Sequence, residues 1–366
     1  MKRNSAPHAL LVGKTGAGKS TLLVEIARDA MFAGAGLLVL DPHGDLAADV
    51  LARTPRRRRN DLAHLNPFDN QCPGLNPLRG LARHPERTPL VVSGFLATLR
   101  KIWPEFWGPR TEHVLRHALL ALAEVRGATL LDAQDMLANV DRRAWVVRQV
   151  TDPRVRAFWA REFVGYGTKL QAEATAPPLN KLSALLAVPA VRDVLTKRRP
   201  VLDVDRVLAR GRIVVAGLPK GLLGEDGALV LGGILLGAFQ VAIMARAKLP
   251  MEERTPFTII VDEVGSFATE PFLELLAEAR KFGVRMVLAT QSLAALEPLV
   301  RHALLANVGE LVAFRLGADD AEIVSREMLG MFTPKALMML DVGERIAREG
   351  SHEPVFVPRR VIRDAG

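Results

Sequence analysis

A glycine-rich stretch near the start of the chain has the composition of a phosphate-binding loop. Residues 13–20 read GKTGAGKS, fit the pattern GxxxxGK[ST], and lie between an apolar run at 9–12 and a second run at 21–27. That order predicts a strand, a loop and a helix, which is the context in which the pattern binds a nucleotide; the alternative is a purely structural glycine turn. Glycines let backbone N–H groups converge on phosphate oxygens, and the helix N-terminus adds its positive dipole end. The expected nucleotide contacts are Gly13, Thr15, Gly16, Ala17, Gly18, Lys19, Ser20 and Thr21.

Two residues of this loop and two distant carboxylates form one predicted chemical unit. Lys19 occupies the position that reaches the β- and γ-phosphates, and Ser20 the position that binds Mg²⁺. Far along the chain, the apolar run 259–261 ends in Asp262 and Glu263. In helicase-like ATPases the first carboxylate of such a pair holds the magnesium-bound water shell, and the second polarises the attacking water. Taken alone, the pair fits a strand end in solvent equally well; beside the loop, it predicts Ser20 and Asp262 as metal ligands and Glu263 as the base.

Polar residues after two later predicted strands are further candidates for the same site. Gln291 follows the strand next after the carboxylate strand, where its amide could sense the γ-phosphate; a glutamine satisfied by a nearby loop is the alternative. Arg315 lies one strand later and could act as a finger on a neighbouring subunit's nucleotide. Arg280 and Arg285 compete for that role, and surface salt bridging is the ordinary explanation for each of the three.

The elements around these residues predict an α/β fold with a helical insertion. Buried-type strands are expected at 9–12, 37–40, 213–216, 257–261, 284–289 and 310–315, with a weaker one at 62–65 and a hairpin through 345–347 and 355–357. Between 78 and 200 the apolar period becomes helical. We therefore predict a nucleotide-binding motor domain formed by 1–78 and 200–366, interrupted by an all-α insertion at 79–199.

Local signals refine this outline. Thr269 is expected to begin one helix and Asp319 to cap another, while Pro177–Pro178 and Pro189 are expected to break the insertion into short helices. The tryptophans all lie in the insertion and are predicted to be core residues rather than base-stacking platforms: Trp103, Trp107, Trp145 and Trp159. The basic run 56–59 predicts a solvated loop, with a phosphate-contacting patch as the alternative.

Charge and composition bear on partners and compartment. Lys and Arg number 49 against 40 Asp and Glu, a net charge of +9, so a polyanionic partner such as DNA is plausible, although genomic base composition can also enrich arginine. Cys72 is the only cysteine, which excludes an internal disulfide and fits a reducing, cytoplasmic compartment. The N-terminus is polar and the apolar run after it is short, so no signal peptide is expected. The apolar segment 228–245 is long enough to span a membrane, but its place between two predicted strands favours a crossover helix packed on the sheet, so no transmembrane segment is expected.

The order of these motifs resembles the cytoplasmic ATPase of type IV secretion coupling proteins, within the HerA/FtsK superfamily of ring translocases. The resemblance rests on the phosphate loop, the turn 40–46 (LDPHGDL), the stretches 107–112 (WGPRTE) and 218–221 (LPKG), the carboxylate pair, the helix 277–283 (AEARKFG) and the segment 314–321 (FRLGADDA). It implies a RecA-like P-loop core with an inserted all-α domain and a hexameric motor that pumps DNA, with ATP and Mg²⁺ bound between subunits. It also implies that Gln291 is the sensor and Arg315 the finger.

The sequence departs from this family in one respect and leaves three functions open. Membrane-anchored coupling proteins carry N-terminal membrane helices and HerA proteins a small β-barrel, whereas twelve residues precede Gly13 here. This leaves the membrane link and the docking partner open: the chain is a short relative, or its N-terminal part is encoded elsewhere or missing. Association with the inner face of the membrane is expected to occur through partners. The first function is a DNA-translocating ATPase of conjugative transfer that works with a secretion channel or relaxase, and the second is a HerA-like motor for DNA processing or defence with a partner nuclease. The third is a secretion ATPase or adaptor that recruits protein substrates without contacting DNA.

Overall fold

The centre of the molecule is a mixed β-sheet whose middle strands are parallel. The structure is a computed structural model that describes residues 6–359. The strands are β1 (Ala9–Val12), β2 (Gly36–Asp41), β3 (Leu62–Leu65), β4 (Ile213–Gly217), β5 (Phe257–Val261), β6 (Val284–Thr290), β7 (Glu310–Ala313), β8 (Arg345–Glu349) and β9 (Val355–Val357). Their order across the sheet is β3-β4-β2-β5-β6-β1-β7-β8-β9. All the predicted strands are present.

Helices connect these strands and make up the long segment between β3 and β4. Those associated with the strands are α1 (Lys19–Phe32), α2 (Asp45–Ala52), α11 (Val204–Ala209), α12 (Lys220–Leu223), α13 (Glu225–Ala245), α14 (Val264–Phe267), α15 (Glu270–Glu278), α16 (Pro298–Asn307), α17 (Ala318–Glu327) and α18 (Pro334–Met338). Those of the long segment are α3 (Thr88–Ile102), α4 (Pro109–Ala123), α5 (Leu130–Ala138), α6 (Val140–Gln149), α7 (Pro153–Ala157), α8 (Phe163–Gly165), α9 (Gly167–Leu186) and α10 (Pro189–Thr196). A π-helical turn, Phe158–Glu162, joins α7 to α8.

The parallel pairing brings the predicted chemistry to one edge of the sheet. β4, β2, β5, β6, β1 and β7 pair in parallel in that order, whereas β7 with β8 and β8 with β9 pair antiparallel. β1, β2, β4 and β5 are buried along their whole length, as expected for strands covered on both faces. Because parallel strands end at the same edge, the segments after β1, β5, β6 and β7 emerge side by side.

The chain divides into two compact units. The first contains residues 6–63, 205–217 and 243–359, and therefore most of the sheet; the second contains 64–204 and 218–242 and is helical. The proposed boundaries of the motor domain at 78 and 200 stay a prediction. The sequence placed the apolar helix α13 on the sheet, whereas its residues up to Ala242 cluster with the helical unit.

Within the helical unit, α13 lies close to two other helices. A Cβ at Gly233 would lie 2.5 Å from Thr98 Cγ2 in α3, and a Cβ at Gly227 would lie 3.0 Å from Val191 in α10. The helix Glu225–Lys248 is long enough and apolar enough to cross a membrane. The mean hydropathy of its most apolar stretch is 2.2, and 67% of that stretch is buried inside the protein. Helices in the cores of soluble proteins have the same properties.

Three local predictions were wrong. Helix α9 continues through Pro177 and Pro178, so the energetic cost of interior prolines, about 3 kcal/mol each, is offset by the packing of this helix against α4 and α5. The residue before α17 is Gly317, and Asp319 does not cap the helix. Strand β7 ends at Ala313, two residues before Arg315. The predicted helix start at Thr269 is confirmed, and the Thr269 hydroxyl accepts the N–H of Phe272. The predicted break at Pro189 is also confirmed, since α9 ends at Leu186 and α10 begins at Pro189.

The tryptophans and the basic run also differ in part from expectation. Trp159 is buried, whereas Trp145 is 38% exposed and lies under the guanidinium of Arg142. In the basic run, Arg58 is buried and donates to backbone carbonyls, so it is neither solvated nor available to a phosphate.

Candidate active site

The phosphate-binding loop joins β1 to α1, as the sequence predicts. Gly18 has φ 114° and ψ 3°, a conformation that a residue with a side chain rarely adopts. A Cβ there would also lie 3.1 Å from Gly343 Cα, in the turn before β8, whose N–H donates to Ala17 O at 3.0 Å. A Cβ at Gly13 would lie 2.7 Å from Phe314 Cβ. Two of the glycines are therefore required by close contacts, and the loop ends at the positive end of α1.

Lys19 is the buried cation of the site. Its side chain is 7% exposed, and its ammonium donates to the carbonyls of Gly13 and Lys14, the latter at 3.1 Å. Burial lowers the pKa of Lys19, and the negative charges of Asp262 and Glu263 oppose that effect. The lysine therefore lies close enough to both carboxylates to interact with their charge.

Asp262 and Glu263 occupy different environments, although they are adjacent. Asp262 is buried, and burial, followed by the charges of Glu263 and Asp41, raises its pKa to about 6. Glu263 is half-buried and has φ 50° and ψ 52°, a left-handed conformation that costs a non-glycine residue roughly 1–3 kcal/mol. The turn directs the chain away from β5 immediately after the second carboxylate.

Gln291 connects the phosphate-binding loop to Glu263. Its amide NH₂ donates to Glu263 Oε1, and its carbonyl oxygen accepts the hydroxyl of Thr15 at 2.8 Å. β6 lies between β1 and β5 in the sheet, so a residue just after β6 is near both. His43 Nε2 lies 3.9 Å from the same oxygen, Glu263 Oε1. The candidate base is therefore contacted by an amide and approached by an imidazole.

Arg315 and Arg285 lie at opposite edges of the sheet. Arg315 follows β7, and its carbonyl accepts the N–H of Lys14 at 2.9 Å, which places it beside the phosphate-binding loop. Among residues 6–359, no group forms a hydrogen bond or ion pair with its half-buried guanidinium. Arg285 is the second residue of β6, six residues or about 20 Å from Gln291, and it binds Glu310 at 2.8 Å and Pro7 O at 3.0 Å. Arg285 is therefore occupied by structural contacts.

The oxygen groups at this edge fit a magnesium ion. The Ser20 side chain is exposed at the start of α1, and Asp262 accepts one backbone N–H, that of Glu263 at 3.1 Å. Hydroxyl and carboxylate oxygens are the ligands that Mg²⁺ prefers. The raised pKa of Asp262 reflects several negative groups in a buried place, an arrangement that a divalent cation would stabilise.

Comparison with known proteins connects this chain to helicase HerA and to type IV coupling proteins. The family model for the central domain of helicase HerA matches residues 3–64. The type 4 coupling protein DotL of Legionella pneumophila is 22% identical over 363 residues, which cover 79% of this chain and 44% of DotL. The chain thus spans less than half the length of that curated relative.

Solved structures share the architecture. The bacterial conjugative coupling protein TrwB, crystallised as its deltaN70 form, has a TM-score of 0.70 at 17% identity, covering 97% of this chain and 85% of the TrwB chain. VirB4 of Thermoanaerobacter pseudethanolicus has a TM-score of 0.61 at 13% identity, with 97% and 90% covered. The chain resembles a type IV coupling protein. The predicted RecA-like P-loop core with an all-α insertion is confirmed.

The coupling-protein fold brings together most of the residues that the sequence singled out. Lys19, Asp262, Glu263 and Gln291 interact directly or through their charges, and Arg315 contacts the loop through its backbone. The roles of all the site residues, from Gly13 to Arg315, stay predictions.

Three further residues had no role in the sequence-based site. Asp41, with no exposed surface, accepts the N–H groups of His43, Gly44 and Ala47 at 2.8–2.9 Å and so shapes the turn after β2. His43 approaches Glu263, and buried Asp320 binds the loop after Gln291. The turn 41–45 (DPHGD), directly after a buried strand, was the available signal for the first two.

Proposed function

We propose that this chain is an ATP-hydrolysing motor that binds ATP and Mg²⁺ and moves DNA, in the manner of conjugative coupling proteins. The observation that carries the proposal is the convergence of Lys19, Asp262, Glu263 and Gln291 at the carboxyl edge of β1, β5 and β6. TrwB has been crystallised with ADP and Mg²⁺ and with non-hydrolysable ATP and GTP analogues, which supports the nucleotide and the metal.

The proposed chemistry assigns one function to each group. Mg²⁺ bound by Ser20 and Asp262 would neutralise charge on the β- and γ-phosphates. Lys19 would bind the same phosphates from the loop, and Glu263 would accept the proton of the attacking water. Gln291, already hydrogen-bonded to Glu263, would orient that carboxylate or the water. Arg315 would stabilise the transition state from a neighbouring subunit of a hexameric ring.

The test of hydrolysis uses two substitutions with different expected defects. Glu263→Gln should bind Mg-ATP with nearly unchanged affinity and lose at least about 100-fold in kcat, because the geometry remains while the base is lost. Lys19→Ala should also weaken nucleotide binding. Both effects are measured by steady-state ATPase assays and by titration with a fluorescent ATP analogue. Wild-type turnover by Glu263→Gln would falsify the assignment of the base.

A second candidate is a HerA-like motor that processes DNA with a nuclease, and the match to the HerA central domain favours it. Both candidates predict that DNA stimulates ATP hydrolysis. They differ in the partner, since a conjugative motor should bind a relaxase or secretion-channel protein and a HerA-like motor a nuclease. Co-purification of the full chain with the products of neighbouring genes distinguishes them. ATP hydrolysis that no DNA stimulates would instead support an ATPase that recruits protein substrates.

A further inference from the structure

A buried carboxylate outside the proposed catalytic groups binds the loop that follows Gln291. Asp320, in the first turn of α17, is 5% exposed. One of its oxygens, Oδ1, accepts the hydroxyl of Ser292 at 3.1 Å and the N–H groups of Leu293 and Ala294 at 2.9 and 2.8 Å. All three donors belong to the residues immediately after Gln291. The Asp320 side chain therefore connects the loop to α17 by three hydrogen bonds.

The buried carboxylate of Asp320 depends on its hydrogen bonds with the loop. A buried carboxylate is expensive to desolvate unless hydrogen bonds satisfy it. Within residues 6–359, no cation forms an ion pair with Asp320, so the loop after β6 supplies its stabilisation, along with the N-terminal dipole of α17. Movement of the loop away from α17 would leave the carboxylate and two N–H groups unpaired. The two segments should therefore move together.

Arg315 lies in the short segment that precedes α17. Residues 314–317 lead directly into α17, and the N–H of Ala321 donates to Gly317 O at 2.9 Å, which joins the helix to that segment. The Arg315 carbonyl accepts Lys14 N–H at 2.9 Å, and Thr15 donates to Gln291 at 2.8 Å. The phosphate-binding loop, the Gln291 loop and the Arg315 segment thus form a closed set of contacts, and Asp320 supplies the contact between the last two.

We propose that Asp320 is a positioning residue that couples Gln291 to Arg315. A displacement of Gln291 by the γ-phosphate is passed through Ser292, Leu293 and Ala294 to Asp320, and from α17 to the arginine that acts on the neighbouring subunit. This inference rests on the proposed ATPase function and adds a route by which one nucleotide site sets the geometry of the next. A purely structural role for Asp320 would stabilise the fold without affecting turnover selectively.

The test compares Asp320→Asn with a matched neighbour in the full chain. Asp320→Asn keeps the size of the side chain and one acceptor oxygen but removes the charge that holds the loop. Asp319 is exposed and one residue away, so Asp319→Asn changes the same charge without the contacts. Ser292→Ala removes one donor from the other side of the contact and gives a milder second variant. For each, kcat, KM for ATP and the midpoint of thermal unfolding are measured.

We expect Asp320→Asn to lower kcat about 10- to 100-fold with KM within about twofold, because misplacing groups by an ångström slows chemistry more than it weakens binding. Ser292→Ala should lower kcat less, and the double variant should be no slower than Asp320→Asn alone. Asp319→Asn should behave as wild type. Unchanged kcat in Asp320→Asn overturns this inference and leaves the proposed function intact. So does a loss of kcat in Asp320→Asn and Ser292→Ala that is explained by a lower unfolding temperature in both. A wild-type chain that does not hydrolyse ATP overturns the proposed function and this inference together.

Discussion

At the scale of single residues, His8 links the stability of the fold to pH. It precedes β1, is 4% exposed, and its Nδ1 accepts the N–H of Met286 at 3.0 Å. Burial lowers its pKa from 6.5 to about 4; the charges of Arg280 and Arg285 act in the same direction, and a contact with the Leu276 carbonyl opposes them. The folded protein thus keeps this imidazole neutral at pH values where the unfolded chain protonates it.

The stability that depends on His8 should be present above pH 6.5 and lost as the pH falls toward 4. In that window the unfolded chain binds more protons, and at 1.36 kcal/mol per pKa unit the loss amounts to roughly 3 kcal/mol. His8→Asn retains an acceptor for the Met286 N–H but does not titrate, so its unfolding free energy should fall less over the same range. Urea denaturation at several pH values measures the difference, with exposed His352→Asn as the control. Identical pH profiles for wild type and His8→Asn would contradict this assignment.

At the scale of elements, Arg58 joins three segments of the unit that contains most of the sheet. Its guanidinium donates to Met31 O at the end of α1, to Ala35 O before β2 and to Gly211 O before β4, at 3.1, 3.3 and 2.6 Å. Its Nε also binds Asp61 at 3.0 Å. Only a planar group with several donors can satisfy these carbonyls together.

Arg58→Ala should destabilise the chain by roughly 2–4 kcal/mol, because buried carbonyls lose their partner and a packed side chain is removed. Arg58→Lys should recover only part of that loss. Arg59→Ala, at an exposed position of the same run, should change the unfolding free energy by no more than about 0.5 kcal/mol. Equilibrium urea unfolding of the three variants gives the comparison; equal effects at positions 58 and 59 would show that the contacts to carbonyls add nothing.

Arg58 also shows where sequence-based prediction of this fold ends. The strands β1, β2, β4, β5 and β6 were predicted closely because their signals are local: apolar runs bounded by turn residues. The burial of one arginine in a run of four depends on Gly211, 153 positions away, and α9 continues through two prolines because of its packing partners. Likewise, the phosphate loop and carboxylate pair were recognisable as motifs, whereas Asp320 became informative only once its contacts with the Gln291 loop were visible.

At the scale of the whole molecule, the net charge of +9 predicts how DNA should bind. Contacts to phosphates release counterions, so affinity should fall steeply with salt and depend little on sequence. If four phosphates are neutralised, the affinity should fall about 100-fold between 50 and 200 mM salt. Fluorescence anisotropy with two unrelated DNA sequences measures this. No binding at low salt, or a strong preference for one sequence, would contradict a translocase.

The assembly prediction concerns Arg315, whose side chain is half-buried beside the phosphate loop and lacks a partner among residues 6–359. A finger supplied by a neighbouring subunit accelerates phosphoryl transfer by about 10³ to 10⁵, whereas loss of a surface ion pair costs only about 0–1 kcal/mol. Arg315→Ala should therefore lower kcat at least about 1000-fold. Arg285→Ala is the control: because that arginine binds Glu310, its loss should affect stability more than turnover.

The decisive measurement mixes two inactive proteins. Arg315→Ala subunits keep an intact phosphate loop, and Lys19→Ala subunits keep an intact finger. In a mixed ring, some interfaces pair a wild-type loop with a wild-type arginine, so ATPase activity should rise above that of either parent. Native mass spectrometry verifies that the subunits have mixed. Mixed rings without recovered activity would exclude Arg315 as a finger acting between subunits, and a strictly monomeric chain with full activity would exclude the ring itself, because then every group required for hydrolysis would come from one subunit.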